Sequence, residues 1–234
     1  MKPKTSLLFT LATVLIVVGI TWTKSSSQQN VNERGTIAWH VQNAKKSGKK
    51  QVEIPAPIPI YAAVNGLDDA LARFTTVVAQ LVEMKSYVQD RSKIVTWYKF
   101  RVLEYLSQPP QSECPDCLND IVIPEELRPL QADEFVVSDV GGSVLVDGVE
   151  VSSRDSEFRQ SFSLSQKYLL FLSLDSSRRV GSLNIGPSAI FTIDSDDVLA
   201  PVTKRPHPIG QDIEKTSRNS LSRVKEYVRQ RLNK

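Results

Sequence analysis

With 234 residues, of which 41% are hydrophobic and 7% aromatic, the chain can bury one good core with helices appended to it. A net charge of +3 is too small for a nucleic-acid binder, which concentrates a basic face, so no nucleic-acid partner is expected. The two cysteines, Cys114 and Cys117, stand together, which excludes a disulfide-dense secreted scaffold.

Lys2 and Lys4 precede an uncharged apolar run from Ser6 to Trp22. As a helix this run would span roughly 25 Å, just short of the ~30 Å hydrocarbon core. Two readings stand: an uncleaved membrane anchor, with the lysines inside and Trp22 at the outer interface, or a secretory signal peptide without an A-x-A site. No cysteine follows the run to make a lipoprotein, and either reading places the remaining chain outside the cytoplasm.

Residues 24–34 form a Ser/Gln/Asn-rich linker, and residues 35–74 an N-terminal extension. Within it, Thr36 to Ser47 predicts a short helix with Ile37, Val41 and Ala44 on one face and Gly48 as its stop. Pro55, Pro57 and Pro59 then remove alternate backbone donors, which predicts an edge or extended segment. From Asn65 a second short helix is expected, with Asp68 and Asp69 in its first turn.

The organising stretch runs from Thr75 to Leu106. Its second half carries Ile94, Thr96, Tyr98, Phe100, Val102 and Leu106 on one face, and Val95, Trp97, Lys99, Arg101, Leu103 and Tyr105 on the other. That alternation of β-branched and aromatic residues marks a half-buried strand. The first half has Val78, Val82, Met84 and Val88 on one side and Val77, Ala79, Leu81 and Tyr87 on the other, so its start is expected to be buried on both faces. Gln89 to Ser92 holds no Asn-Gly or Asp-Gly pair, which predicts a looser loop of about four residues. Strands this long suit a small closed or partly open barrel.

Downstream, a proline-rich loop holds Cys114 and Cys117, and further strands are expected to pair onto the hairpin. They cover Phe135 to Val140, Ser143 to Val146, a partner strand after the Asp147-Gly148 turn, Gln166 to Leu174 at the centre, Val180 to Ile185, and Ala189 to Ile193. The barrel-like domain is bounded at 75–203. Residues 204–234 are expected to form one basic amphipathic helix from about Ile213, with Leu221, Val224, Val228 and Leu232 as its stripe.

The strings Thr96-Trp97-Tyr98-Lys99-Phe100-Arg101-Val102, Gly141-Gly142, Asp147-Gly148-Val149 and Tyr168-Leu169-Leu170-Phe171-Leu172 resemble those of bacterial envelope proteins. They also look like the OB-type barrel of netrin-like modules and tissue inhibitors of metalloproteinases, which pair a Y-x-F-x-V strand with a later Y-L-L-F strand. The likeness spans roughly Thr75 to Leu199. It implies a mainly β (α+β) fold: a small OB/netrin-like barrel with short N-terminal helices and a C-terminal helix. The inhibitors approach a catalytic zinc with an N-terminal cysteine and carry several disulfides. This chain has neither, so no inhibitor residue transfers to it.

Each motif with chemical potential has a bland counterpart. Cys114 and Cys117 have redox spacing without the strand-helix setting that lowers a thiol pKa, and a zinc half-site would lack its second pair. A local disulfide stapling the loop is therefore expected, with a functional thiol pair and a metal site as the alternatives. His40 and His207 are expected to serve packing or surface roles, since no G-x-S-x-G nucleophile accompanies them. Asp194 to Asp197 predicts a strand-ending turn rather than a calcium loop, and the basic C-terminal helix a solvated face rather than a lipid-binding one. No catalytic, cofactor or metal residue is nominated. The expectation is a non-catalytic binding or structural module of the bacterial envelope, with the membrane as partner through residues 1–23 and an envelope protein as a second partner. A netrin-like inhibitor or enzyme-accessory domain is the alternative, and a hydrolase with a scattered site comes after it.

Overall fold

A computed structural model describes residues 33–56, 61–108, 118, 121–153, 162–203 and 205–232. These fall in one compact unit, Asn32–Lys234. Its elements in chain order are α1 (Ile37–Lys46), β1 (Gln51–Glu53), α2 (Leu67–Arg73), β2 (Thr75–Asp90), β3 (Lys93–Ser107), β4 (Glu134–Val140), β5 (Gly142–Val146), β6 (Val149–Ser153), β7 (Lys167–Asp175), β8 (Val180–Ser182), β9 (Ile190–Ile193), β10 (Leu199–Pro201), α3 (Pro208–Ser217) and α4 (Leu221–Leu232).

The fold is mainly β and built on a closed five-stranded barrel. β2 pairs antiparallel with β3 and with β7, β3 with β4, β4 runs parallel to β8, and β8 closes the ring by pairing with β7. Numbered along the chain, the ring strands follow the order 1-2-3-5-4, with the third and fifth parallel, which is an OB-type closure. β9 pairs with Lys167 to Leu170 on the β7 edge that β8 takes at Ser173 to Asp175, and β10 pairs onto β9.

The β2–β3 ladder shifts register at four places, between Thr76 and Val77, Val78 and Ala79, Leu81 and Glu83, and Val88 and Asp90. Each extra residue bends its strand and increases the local twist, and a small barrel needs both to close.

Period two decides what lies inside. Val77, Ala79 and Leu81 of β2 and Phe100 of β3 join Phe135, Val137, Tyr168, Leu170 and Leu172 in the barrel interior. Phe100 stacks on Phe135 at 5.5 Å between centroids and meets Tyr168 edge-on at 6.0 Å. The opposite face of the same strands, Val78, Leu169 and Phe171, lies under α2, α3 and α4 through Leu67, Leu71, Ile209, Ile213, Leu221, Val224 and Val228. All five residues from Thr75 to Ala79 are buried, as two covered faces require.

Five expectations need correction. The hairpin turn has only two residues, Arg91 and Ser92, because Asp90 pairs directly with Lys93. β5 and β6 do not join the hairpin's sheet; with β1 they form a separate three-stranded sheet in the order β1-β6-β5. This leaves proline-flanked β1 on an edge, as expected. Their own turn places Asp147 and Gly148 at φ 48° and 79°, the two positive values that a type I′ hairpin needs. β8 stops at Ser182, and a 3-10 turn from Gly186 to Ala189 leads into β9. The C-terminal segment is two helices, not one. Arg218 and Asn219 take left-handed backbone (φ 50° and 58°), which ends α3 and starts a new axis for α4.

The polar side of α4 is tied down in part. Lys225 reaches Glu104 at 2.5 Å, and both Tyr227 and Arg231 bind Asp68. Leu232, expected in the buried stripe, is exposed.

Candidate functional site: the cleft at the hairpin tip

Past Leu81 the hairpin continues as an arm of β2 and β3, with β4 flanking β3 as far as Val95, and α1 is fastened to its turn. The Ile37 N–H donates to the Arg91 carbonyl at 2.7 Å. Thr36 caps the helix: its Oγ1 accepts from the Trp39 N–H at 3.2 Å and donates to the Glu33 carbonyl at 2.9 Å. Ile37, Val41 and Ala44 then pack with Ile54, Ile94, Val149 and Val151, which joins helix, arm and small sheet.

This assembly encloses an open cleft of about 540 Å³, bounded by the chain entering α1, by α1 itself, by the residues following β1 and by the hairpin turn. Trp39, Ile54 and Pro55 supply apolar wall, while Arg34 and Lys93 bring positive charge. Trp39 and His40 meet edge to face, with centroids 4.8 Å apart and planes at 84°. Burial lowers the His40 pKa, so its imidazole is neutral at pH 7 and presents a polar edge rather than a charge. Lys93 lies 3.7 Å from Asp90 in an exposed pair that solvent screens. Such a cleft is suited to holding a ligand with a flat or apolar body and an anionic group.

A second polar cluster sits on the arm itself and is structural. The Thr96 hydroxyl donates to the Gly141 carbonyl at 2.6 Å, and the Ser86 hydroxyl lies 2.7 Å from Thr96 Oγ1. Thr96 has one hydrogen, already used, so Ser86 donates to it. The backbone at Gly142 passes so close that a Cβ there would lie 2.1 Å from Thr96 Oγ1 and 2.5 Å from Ser86 Oγ. β5 is thereby pressed onto the arm. Burial, with Asp139 adding to it, pushes the phenol of neighbouring Tyr98 well up and keeps it protonated.

The two histidines are placed apart in the fold. His40 lines the cleft, and His207 is the N-cap of α3, where its Nδ1 accepts from the Ile209 N–H at 3.3 Å. Asp194 closes the expected turn, accepting from the N–H groups of Asp196 and Val198 at 2.9 and 2.8 Å. Cys114, Cys117 and the apolar run from Ser6 to Trp22 lie outside the described residues. Among the described residues no helix is long and apolar enough to cross a membrane, and no group of three metal-ligating side chains gathers.

Sequence reasoning missed the cleft because three separate stretches, residues 34–40, 54–56 and 92–93, build it. The available signal was the adjacent pair Trp39-His40 on a helix only ten residues long, with Arg34 just ahead of its N-cap. Compared with protein-family models, with curated proteins and with solved structures, the chain has no match.

Proposed function

We propose that this chain is a non-catalytic binding module of the bacterial cell envelope, held outside the cytoplasm through its N-terminal segment, with the cleft beside Trp39 as its ligand site. The ligand class is a small molecule or chain end that carries a carboxylate next to an apolar or planar body. The observation that supports the reading most is the pairing of Arg34 and Lys93 with an aromatic and aliphatic wall in one opening. A binding role also fits what the histidines do, since one meets Trp39 edge to face and the other caps a helix. The extracytoplasmic placement rests on Lys2, Lys4 and the uncharged run that follows.

Two experiments test this. N-acetylated dipeptides with a free terminal carboxylate, titrated against their amides, should change the tryptophan fluorescence of the full-length protein saturably only for the acids, and Trp39→Phe, which leaves Trp22 and Trp97, should abolish the change. The response should fall in Arg34→Gln and Lys93→Gln. Equal response to acids and amides, or none to either, overturns the ligand class. A reporter fused after Lys234 should be active only outside the cytoplasm, and activity inside overturns the placement.

A further inference from the structure

β2 carries two different edges. From Thr75 to Gln80 it is paired on both sides, with β3 and β7. The last bonds on the β7 side come from Leu81, which donates to the Gln166 carbonyl at 3.1 Å and accepts from the Ser165 N–H at 2.8 Å. Beyond that point the ladder to β3 continues to Asp90, while no described residue pairs with the outer edge.

The direction of the free groups follows from the register. The Val102 N–H donates to Asp133, and the Ile94 carbonyl accepts from Gly141, so the even-numbered residues of β3 turn their backbone toward the β4 side. Tyr98, Thr96 and Ile94 stand opposite Met84, Ser86 and Val88. These are therefore non-hydrogen-bonded pairs, and Met84, Ser86 and Val88 point their N–H and C=O groups out from the free edge. Met84 and Val88 flank Ser86 with side chains 43% and 45% exposed, a high value for apolar residues two positions to either side of a buried contact.

We propose that this edge pairs with the same edge of a second copy, antiparallel about a two-fold axis at Ser86. In that register Met84 faces Val88 of the other copy at both ends and Ser86 faces itself, giving roughly six main-chain hydrogen bonds. On the other sheet face Glu83 meets Gln89, and Lys85 meets Tyr87, so no like charges oppose each other. Lys85 already lies over the Tyr87 ring of its own chain at 5.5 Å, and the pairing gives it a second ring. A shift of two residues would set Met84 against Asp90, which disfavours that register. An eight-residue edge about 27 Å long that complements itself is better matched to a second copy than to a foreign strand.

The test uses the full-length chain in mild detergent, with mass measured by sedimentation across a concentration series. Wild type should dimerise. Met84→Glu and Val88→Lys should each weaken the dimer about tenfold or more, the equivalent of about 1.4 kcal/mol. Mixing the two variants, or combining them in one chain, should restore it, because Glu now faces Lys in the two-fold register. Circular dichroism confirms that each variant is folded, and the mixing experiment keeps the test valid should the doubly substituted chain fold poorly. A monomeric wild type, single variants that dimerise as well as wild type, or no recovery on mixing each overturns the proposal.

Discussion

One hairpin serves as two structures. Between Thr75 and Leu81, and from Phe100 to Ser107 opposite, it is barrel wall: the first five residues of β2 are buried, with the barrel interior on one side and three helices on the other. Between Glu83 and Asp90, β2 has left β7 and keeps only β3, which β4 still flanks from Val95 to Arg101; this arm holds α1, the small sheet and the cleft, and Met84, Lys85, Val88 and Gln89 are exposed. The composition of β2 changes at the boundary, from Val-Val-Ala to Glu-Met-Lys-Ser, and a register shift between Leu81 and Glu83 marks the place. A continuous strand can thus pass from core to interface when a bulge resets which face is presented.

The contrast is sharpest at Phe100 and Met84. Phe100→Ala should cost about 3 to 5 kcal/mol, since it empties the centre of the aromatic cluster. Met84→Ala, on the arm, should cost about 0.5 kcal/mol or less in the monomer. Denaturant midpoints at equal slope decide it, and comparable losses would erase the distinction.

Gly142 tests the arm from the other side. A methyl group there meets two hydroxyls well inside contact distance at φ +123°. Gly142→Ala should therefore destabilise by about 1 to 3 kcal/mol and loosen β5 while the barrel persists. Amide spectra that stay unchanged around Thr96 and Ser86 would contradict this.

His207 supplies a pH handle on the helices covering the barrel wall. Burial lowers its folded pKa below the unfolded value near 6.5. The unfolded state therefore binds the proton more readily. The cap's contribution, of the order of 1 kcal/mol, is fully present above about pH 6.5 and is lost as the pH falls through 6.5 toward the folded pKa. His207→Asn keeps an acceptor at the cap and should flatten that part of the stability profile. An unchanged slope would remove His207 from the account.

Much of this was legible beforehand because it rests on local periodicity. Both N-terminal helices, the two long strands, the Asp147-Gly148 hairpin and the central strand at Gln166 to Leu174 follow from spacing two or 3.6. The break at Arg218 and Asn219 was hidden because neither residue is glycine or proline, and the stripe of α4 in phase with Ile213 made one helix look sufficient. Ring closure through a three-residue β8 left no sequence signature, since strands that short carry no period. The cleft was hidden for the same kind of reason, being assembled from separate segments.

The smallest expected difference lies within β3. Lys99 and Arg101 fall one residue out of phase with Phe100, on the face away from the aromatic cluster. Lys99 is only 12% exposed along its side chain and pairs with Glu83 at 2.9 Å, so its stem is packed. Lys99→Ala should cost about 1 kcal/mol, and Arg101→Ala, which takes the cation from the buried Glu134 carboxylate as well as from exposed Asp133, more, about 1 to 3 kcal/mol. Equal thermal midpoints for the two variants would remove this asymmetry.

The division of the hairpin is tested most directly by hydrogen exchange, resolved amide by amide along β2 and measured with protein dilute enough to be monomeric. Val77 to Leu81, paired on both sides, should exchange only through global opening. Met84, Ser86 and Val88, with N–H groups on the free edge, should exchange far faster than Lys85 and Tyr87, whose N–H groups face β3. Uniform protection from Val77 through Val88 would place another strand on that edge, and rapid exchange at Val77 to Leu81 would contradict the closed barrel.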